Sequence, residues 1–323
     1  MQTKISVVIP THDRPKLLIR CLRALCAQTL AKESFEVIVT SDGPDKNTAA
    51  ALRPWLRNKK LNLTYLSTYV KKGPAAARNM GWLSAKSPLV AFTDDDCLPE
   101  KEWLSAFLDA YDGDPFVAFT GRTNVPLPSD PTDFALNTAR LGEAEFITAN
   151  CACTKHALLK TGGFDERFKL AWREDSDLHF KLLEINIPVI KVNEAVVIHP
   201  VRPARWGVSI KEQKKAAYEA LLFSKYPELY KRKIGIGSLW NYYLINILWL
   251  VLAASLITRH MPIFRLSAVL LGILLLAFAV KRLRNSSRKP GHIIEMLSTS
   301  IVIPTLSIYW RLYGAIKYRV LFI

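Results

Sequence analysis

Two clusters of carboxylates carry the chemistry that this sequence can do. The first is Asp94-Asp95-Asp96, which closes the apolar run Val90-Ala91-Phe92. Adjacent carboxylates repel one another when ionised, so this crowding calls for a counter-charge. In an extended segment residues i and i+2 face the same way, so Asp94 and Asp96 can address one object while Asp95 points elsewhere. A divalent cation removes the repulsion. Mg²⁺ and Mn²⁺ prefer hard oxygen ligands, and Mg²⁺ takes one or two carboxylates and completes its shell with water and phosphate. Asp-x-Asp at a strand end therefore reads as a metal–diphosphate site. The competing reading is a solvated acidic turn or a cap for the helical pattern that follows. The second cluster is Glu174, Asp175 and Asp177 in "REDSDLHFKLL", where Leu178, Leu182 and Leu183 mark an apolar helix face. A carboxylate there can act as a general base, or the acids can simply complement the helix N-terminus. His199, in "VVIHP", sits at a strand end as a candidate metal ligand.

These residues need a frame. "ISVVIP", "FEVIVTSDG", "LNLTYLS" and "PLVAFTDDD" read as strands. "RPKLLIRCLRALCAQ", "AAALRPWLRN", "GPAAARNMGWLSAK" and "EKEWLSAFLDAYD" carry helical periodicity between and after them. Such alternation predicts an α/β domain with a mostly parallel sheet. Ligands of such sheets bind at the carboxyl ends of the strands, where Asp42 and Asp94 to Asp96 would share one crevice. Residues 116–200 hold further strand patterns, a proline-rich loop and the helix after Arg173, and are expected to complete the sheet and the cleft.

The chain has 323 residues and a net charge of +16, half of them apolar. Residues 231–323 hold 13 Lys/Arg and a single acid, Glu295, giving +12, whereas residues 1–230 are only +4. A basic excess in the most apolar third suits an anionic membrane surface and not a nucleic-acid groove, so nucleic acid is not expected as a partner. Residues 239–258 and 263–280 are each long enough to span a bilayer as a helix. Eight cations flank this hairpin (Lys231, Arg232, Lys233, Lys281, Arg282, Arg284, Arg288 and Lys289), against Arg259 and Arg265 in or near its turn. That bias places both flanks in the cytoplasm. A third segment, about 293–320, is interrupted by Pro304 and is compatible with a re-entrant, an interfacial or a marginally spanning element; its mix of aromatics with Arg311, Lys317 and Arg319 favours the interfacial reading. The expected division is a cytoplasmic catalytic domain over 1–230 and a membrane region over 231–323. Five cysteines fit no paired zinc spacing and read as reduced thiols. The opening "MQTKISVVIP" reads as a first strand and not as a signal peptide.

The ordered set "SVVIPTHDRPKLLIRCLRAL", "VIVTSDGPD", "KGPAAARNMGWLSAKSPLVAFTDDDCLP", "TGGFDERF" and "EDSDLHFKLL" resembles the inverting family 2 glycosyltransferases over about residues 3–206. The resemblance implies a glycosyltransferase-A fold, a Rossmann-like mostly parallel sheet with flanking helices, here followed by the transmembrane hairpin and an interfacial helix. It implies a nucleotide-diphosphate-sugar donor, a UDP-sugar by preference, and divalent Mn or Mg. The donor would lie among Pro10, Thr11, Asp13, Arg14, Ser41, Asp42 and Arg78, with Asp94 and Asp95. Asp96 would be the principal metal ligand, with Asp94 and His199 beside it. Asp175 would be the base on the acceptor hydroxyl, with Glu174 next to it. Two departures stand out. Ser41 occupies a position where many relatives carry an aspartate that contacts uracil. "RPARW" begins with Arg202 where processive synthases have glutamine, and the spans are too few for a polymer channel. Transfer of a single sugar to a membrane-associated, lipid-linked or glycan acceptor is the expectation. A nucleotidyltransferase would show a Gly-rich basic loop after the first strand, which "PTHDRPK" lacks. A non-catalytic membrane scaffold would have lost the acids, and all are present.

Overall fold

The structure is a computed structural model that describes residues 3–235, 237 and 239–322. It divides into two compact units, one of residues 1–126 and 139–201, the other of residues 127–138 and 202–323. The unit boundary thus falls at Val201, ahead of the compositional change near residue 230, and the proline-rich loop belongs with the second unit.

The first unit is built on eight strands: β1 (Ile5–Thr11), β2 (Phe35–Ser41), β3 (Leu63–Ser67), β4 (Leu89–Phe92), β5 (Leu98–Pro99), β6 (Ala118–Asn124), β7 (Cys151–Thr154) and β8 (Val189–Ile198). They form one sheet in the order β3-β2-β1-β4-β7-β6-β8-β5. β1, β2, β3 and β4 pair in parallel, and β6 pairs in parallel with β8. β7 runs against both β4 and β6, and β5 runs against β8. Six strands therefore point one way, and β5 and β7 are the two reversals. The register Thr11↔Ser41 aligns the carboxyl ends of β1 and β2, and Val8↔Phe92 ends β4 short of them, so that Asp94 to Asp96 follow on beside the last residues of β1. The register Asn124↔Ile198 aligns those of β6 and β8.

The chain's helices in order are α1 (Pro15–Cys26), α2 (Lys46–Asn58), α3 (Pro74–Ser84), α4 (Trp103–Ala110), α5 (Asp133–Ala139), α6 (Lys155–Thr161), α7 (Glu174–Glu184), α8 (Val208–Glu212), α9 (Ala216–Lys225), α10 (Pro227–Lys233), α11 (Trp240–Ile257), α12 (Met261–Leu283) and α13 (Pro290–Lys317). Alternation along the strands divides the first unit's core. Val7, Ile9 and Val37 pack with Leu18 and Leu22 of α1 and with Trp103 and Phe107 of α4. Val8, Ile38 and Phe92 pack with Trp82 of α3 and with Leu178 and Leu182 of α7. Each such side chain contributes about 1.5–3 kcal/mol on burial. α1 obeys its sequence: proline in the first turn, then Leu18, Cys21, Leu22 and Leu25 on the buried face. α4 begins at Trp103, well past Asp96, so the aspartate triplet caps no helix.

In the second unit α11 and α12 coincide with the two apolar segments read as a hairpin, and Ile245, Leu248 and Leu271 pack together between them. The third segment departs from expectation. α13 runs uninterrupted for 28 residues with Pro304 inside it. A proline within a helix removes one N–H from the ladder without ending it when the surroundings hold the helix. Among the described residues, three helices are therefore long and apolar enough to cross a membrane.

Gly81 shows how closely α3 sits on the sheet. A Cβ there would lie 2.3 Å from Val8 Cγ1 and 3.3 Å from Thr40 Cγ2. Gly81→Ala gains about 1 kcal/mol of helix propensity but overpacks the sheet by about 1–3 kcal/mol. We expect a lower thermal midpoint for the solubilised full chain; an unchanged or raised midpoint would show that α3 can lift away freely.

Candidate active site

The carboxyl edge of the sheet gathers the acids. Just past β4, Asp94, Asp95 and Asp96 go to three different partners. Asp95 is buried and accepts from Thr11 Oγ1 at 2.7 Å, with Arg14 Nη1 3.3 Å from its other oxygen. Burial pushes its carboxyl up to about 6, with the neighbouring Asp96 and Asp94 adding to the rise, while Arg14 and the Thr11 hydroxyl work against it. Asp95 therefore ties the end of β1 and the start of α1 to the triplet. Pro10 is a buried residue within β1. Asp13 adopts a left-handed φ of 52°. Its N–H donates to Asp45 Oδ2 at 2.8 Å, and the other oxygen of Asp45 caps α2 by accepting from Thr48 N at 2.9 Å.

The turn after β2 is internally satisfied. Ser41 is fully buried and donates its hydroxyl to the Gly43 carbonyl at 2.7 Å. Asp42 Oδ1 accepts from the backbone N–H groups of Lys72 and Gly73 at 2.7 and 2.8 Å. Asp42 thus fixes the entry into α3. Gly73 has φ 107°, and a Cβ there would lie 2.7–2.9 Å from the Lys169 backbone, so glycine is required. Pro74 follows in the first turn of α3.

α3 delivers Arg78, the centre of the site. Its guanidinium is buried and bridges two carboxylates. Nη2 lies 2.7 Å from Asp94 Oδ1, and Nη1 lies 3.1 Å from Glu174 Oε1. Burial opposes the charge on Arg78, but Asp94 and Glu174 overcome it and raise its pKa above the usual arginine value. Burial likewise works against ionised Asp94; Arg78, then His199 and Arg14, reverse this and hold Asp94 below the ordinary carboxylate value. Glu174 behaves differently. Burial, reinforced by Asp175 and Asp94, pushes its carboxyl up to about 7 despite the opposing pull of Arg78. Arg173 takes a left-handed φ of 70° and α7 starts at Glu174, so Glu174 and Asp175 occupy its first turn. Asp175 is partly buried. Its Oδ1 accepts from Ser176 N at 2.6 Å, and burial raises its pKa, with Ser176 and Arg173 pulling the other way.

Asp96 lies on the other side of the triplet. Its Oδ1 is 3.7 Å from His199 Nε2 and 4.0 Å from Cys97 Sγ. The three residues offer ligand atoms within 4.8 Å of one another. Two donors bound at about 2.1 Å to one ion lie roughly 3–4 Å apart, so Asp96 and His199 fit a shared cation. Both are nearly inaccessible, and His199 Nδ1 has no hydrogen-bond partner among the described residues. The Cys97 thiol is pushed well up by burial and by Asp94 and Asp96, so it stays protonated and is a poor ligand for a hard cation. The carboxylate suits Mn²⁺ or Mg²⁺, whereas an imidazole is a softer donor, so the pair fits the transition ion Mn²⁺ better than Mg²⁺.

Residues 6–166 match the family described as Glycosyl transferase family 2. This chain carries a family 2 glycosyltransferase domain. It is 27% identical over 228 residues to a validoxylamine A glucosyltransferase of Streptomyces hygroscopicus subsp. limoneus, a match covering 59% of this chain and 50% of that protein. The chain spans about half the length of the curated relatives that it matches. Among solved structures, a mannosyltransferase from Pyrobaculum calidifontis in complex with GDP-Man and Mn²⁺ aligns with a TM-score of 0.58 at 18% identity, over 99% of this chain and 88% of that one. S. aureus TarS 1-349 in complex with UDP-GlcNAc aligns with a TM-score of 0.52 at 18% identity, over 96% and 92%. These two likenesses establish the glycosyltransferase-A type of fold.

Sequence reasoning passed over Asp45 and Cys97, and it gave Arg78 a place near the donor without its bridge. Asp45 had a local signal, an aspartate three residues before the Thr48 amide that it caps. The bridge had none, because its partners lie on different elements. Breaking a buried ion pair by removing one partner costs about 3–5 kcal/mol. We expect Arg78→Met to lose stability on that scale in thermal unfolding, because it strands two carboxylates, and Arg78→Met/Glu174→Gln to recover part of it. No recovery in the double variant would separate the two residues. Asp95→Asn should weaken donor binding with little loss of stability, since an amide can still accept from Thr11 but loses the charge facing Arg14; unchanged donor affinity would deny Asp95 that positioning role.

Proposed function

We propose that this protein is an inverting, metal-dependent glycosyltransferase. It moves one hexose from a nucleotide-diphosphate-sugar to a membrane-associated acceptor, a lipid-linked or glycan precursor. The observation that carries this reading is the Arg78 bridge, which joins Asp94 of the Asp-x-Asp to Glu174 beside Asp175. Inversion at an anomeric carbon needs a base on the acceptor side and charge stabilisation at the leaving diphosphate. The bridge brings both within one site. Support for the donor class comes from the mannosyltransferase, a complex with GDP-Man and Mn²⁺, and from TarS, a complex with UDP-GlcNAc. A UDP-sugar remains the first choice.

In this mechanism Asp175 accepts the proton of the acceptor hydroxyl as the new glycosidic bond forms. Burial raises its pKa, which makes it a stronger base than an ordinary aspartate. Glu174 holds one side of Arg78 and, half protonated near neutrality, does not compete with Asp175 as a full second charge. Arg78 fixes Asp94. Thr11 and Arg14, held by Asp95, line the donor side with Asp13, and the turn of Ser41 and Asp42 shapes its wall. Asp96 and His199, with Asp94, would hold Mn²⁺ or Mg²⁺, which when bound neutralises the diphosphate. In this reading the two apolar helices α11 and α12 anchor the chain, and the cation bias around them supports a catalytic domain on the cytoplasmic side, where nucleotide-sugars are available. Tethering to the bilayer raises the effective concentration of a lipid-linked acceptor.

Membranes containing the protein, given labelled UDP-, GDP- and dTDP-sugars with Mn²⁺ or Mg²⁺, should transfer label from one donor, and chelation should abolish transfer. If no donor is hydrolysed, transferred or bound, the reading fails. Asp175→Asn should lower transfer by about 10²–10⁴-fold with donor binding retained; full activity would remove Asp175 from the mechanism. A raised carboxylate pKa means that the base is lost as pH falls through that value. The acid limb of kcat/KM should therefore have its midpoint above the ordinary aspartate range and should vanish in Asp175→Asn. A limb unchanged in that variant would assign it to another group.

A further inference from the structure

α13 is as long as a transmembrane helix, yet its surroundings are those of a helix lying along a surface. It packs within its own unit against α8, a 3₁₀ turn (Gln213–Lys215) and α9, and also against α11 and α12. Gly207 N donates to Glu295 Oε1 at 2.7 Å near one end of this contact. Lys214 sits over the Trp310 ring at 5.7 Å. Near the other end Gly314 lies back to back with Ala217, where a Cβ would meet the Ala217 backbone at 2.5–3.0 Å. From Glu295 to Gly314 is about 28 Å of helix, close to the roughly 30 Å of a hydrocarbon core. The strand of chain alongside carries Lys211, Glu212, Lys214 and Lys215, with Glu219 and Lys225 just beyond. Were α13 to span the bilayer, it would draw those charges through the hydrocarbon, the most costly place for them.

A second contact sets the depth. Arg282, at the basic end of α12, donates to Thr299 Oγ1 at 2.7 Å and to Ser300 Oγ at 3.2 Å, near the middle of α13. The middle of a spanning helix belongs at the midplane, whereas the end of α12 belongs at the headgroups. The two faces of α13 agree with this. Thr299, Ser300, Ser307, Arg311 and Gly314 are buried in the protein. Ile294, Leu297, Ile301, Tyr309, Leu312 and Ile316 are exposed at helical spacing, an apolar stripe from end to end. Within its most apolar window 39% of α13 is buried in the protein, against 17% for α11 and for α12, as expected of a helix with one face given to protein and one to lipid.

We propose that α13 lies in the membrane interface with this stripe in the acyl–headgroup boundary, so that only α11 and α12 cross the bilayer and both ends of α13 stay on one side. The stripe's occupant is lipid, and the basic residues at the end of α12, Lys281 and Arg284, meet anionic headgroups beside it. This rests on the hairpin reading of α11 and α12 but not on the sugar-transfer reading.

The test is depth. The full chain, in a Cys26→Ser background, is labelled with an environment-sensitive fluorophore at Leu297→Cys, Ile301→Cys, Thr305→Cys, Tyr309→Cys, Leu312→Cys and Ile316→Cys, one at a time, and reconstituted in phosphatidylethanolamine–phosphatidylglycerol vesicles. Lipids spin-labelled at shallow or deep acyl positions serve as quenchers. Shallow quenching should exceed deep quenching at all six sites. A profile that deepens to a maximum near Thr305 and becomes shallow again at both ends would overturn the proposal, as would the absence of lipid quenching along the stripe. Val251→Cys in α11 is the reference: it should be quenched best from the deep position, and failure there alone would fault the hairpin and leave the shallow result for α13 standing.

Discussion

A buried guanidinium shared by two carboxylates is the constraint around which the catalytic unit is arranged. Arg78 is almost without solvent, and a cation in that position is tolerable only when fully paired. Pairing it demands that α3 approach the sheet closely, which Gly81 permits, and that α3 begin at a fixed point, which Asp42 and Gly73 enforce. It also demands that α7 start with Glu174 in place, which the left-handed turn at Arg173 provides. Geometry this determined still leaves polar capacity. Arg78 Nε and Glu174 Oε2 are buried and have no hydrogen-bond partner among the described residues. Buried polar atoms of that kind are costly in a purely structural network, so their presence here favours a site that is completed by something bound.

The aspartate triplet settles its repulsion by dispersal. Asp94 turns to Arg78, Asp95 to Thr11 and Arg14, and Asp96 to His199. Three adjacent carboxylates are thereby held by four elements: the end of β1, α1, α3 and the residue after β8. The opposite displacements of Asp94 and Asp95 follow from this. A fully buried arginine has no solvent to screen it, while Arg14 is 43% exposed and so offsets little of the burial penalty on Asp95. Asp95 is thus the acid that ties the end of β1 and the residue before α1 to the triplet.

Local periodicity carried much of this into the sequence. The strand runs ended where apolar residues stopped, and the acids fell past those ends, so a shared carboxyl-edge crevice was legible. The partners of the acids were not. That Asp42 holds the entry to α3 and that Ser41 bonds within its own turn had no sequence signal, because such hydrogen bonds leave no trace in spacing. The i, i+2 rule put Asp94 and Asp96 on one face, and it was blind to Arg78, whose reach depends on how closely α3 approaches the sheet. Pro304 marked a break that does not occur, since packing holds α13 on both sides of it.

Charge counting in the membrane unit needs the same correction for pairing. Arg282 is among the cations that set the expected orientation, yet it is largely buried and bound to Asp133 at 2.9 Å, with Ser209, Thr299 and Ser300 around it. Lys289 is drawn towards Asp130 at 3.2 Å. Both acids belong to the proline-rich stretch 127–138, which explains why that stretch clusters with the anchor and not with the sheet. Taking both cations out of the count leaves Lys231, Arg232, Lys233, Lys281, Arg284 and Arg288 against Arg259 and Arg265. Orientation follows Lys/Arg bias near the span ends and depends little on acids. The sign of the bias therefore survives the pairing and does not depend on Arg282, which the fold has put to structural use.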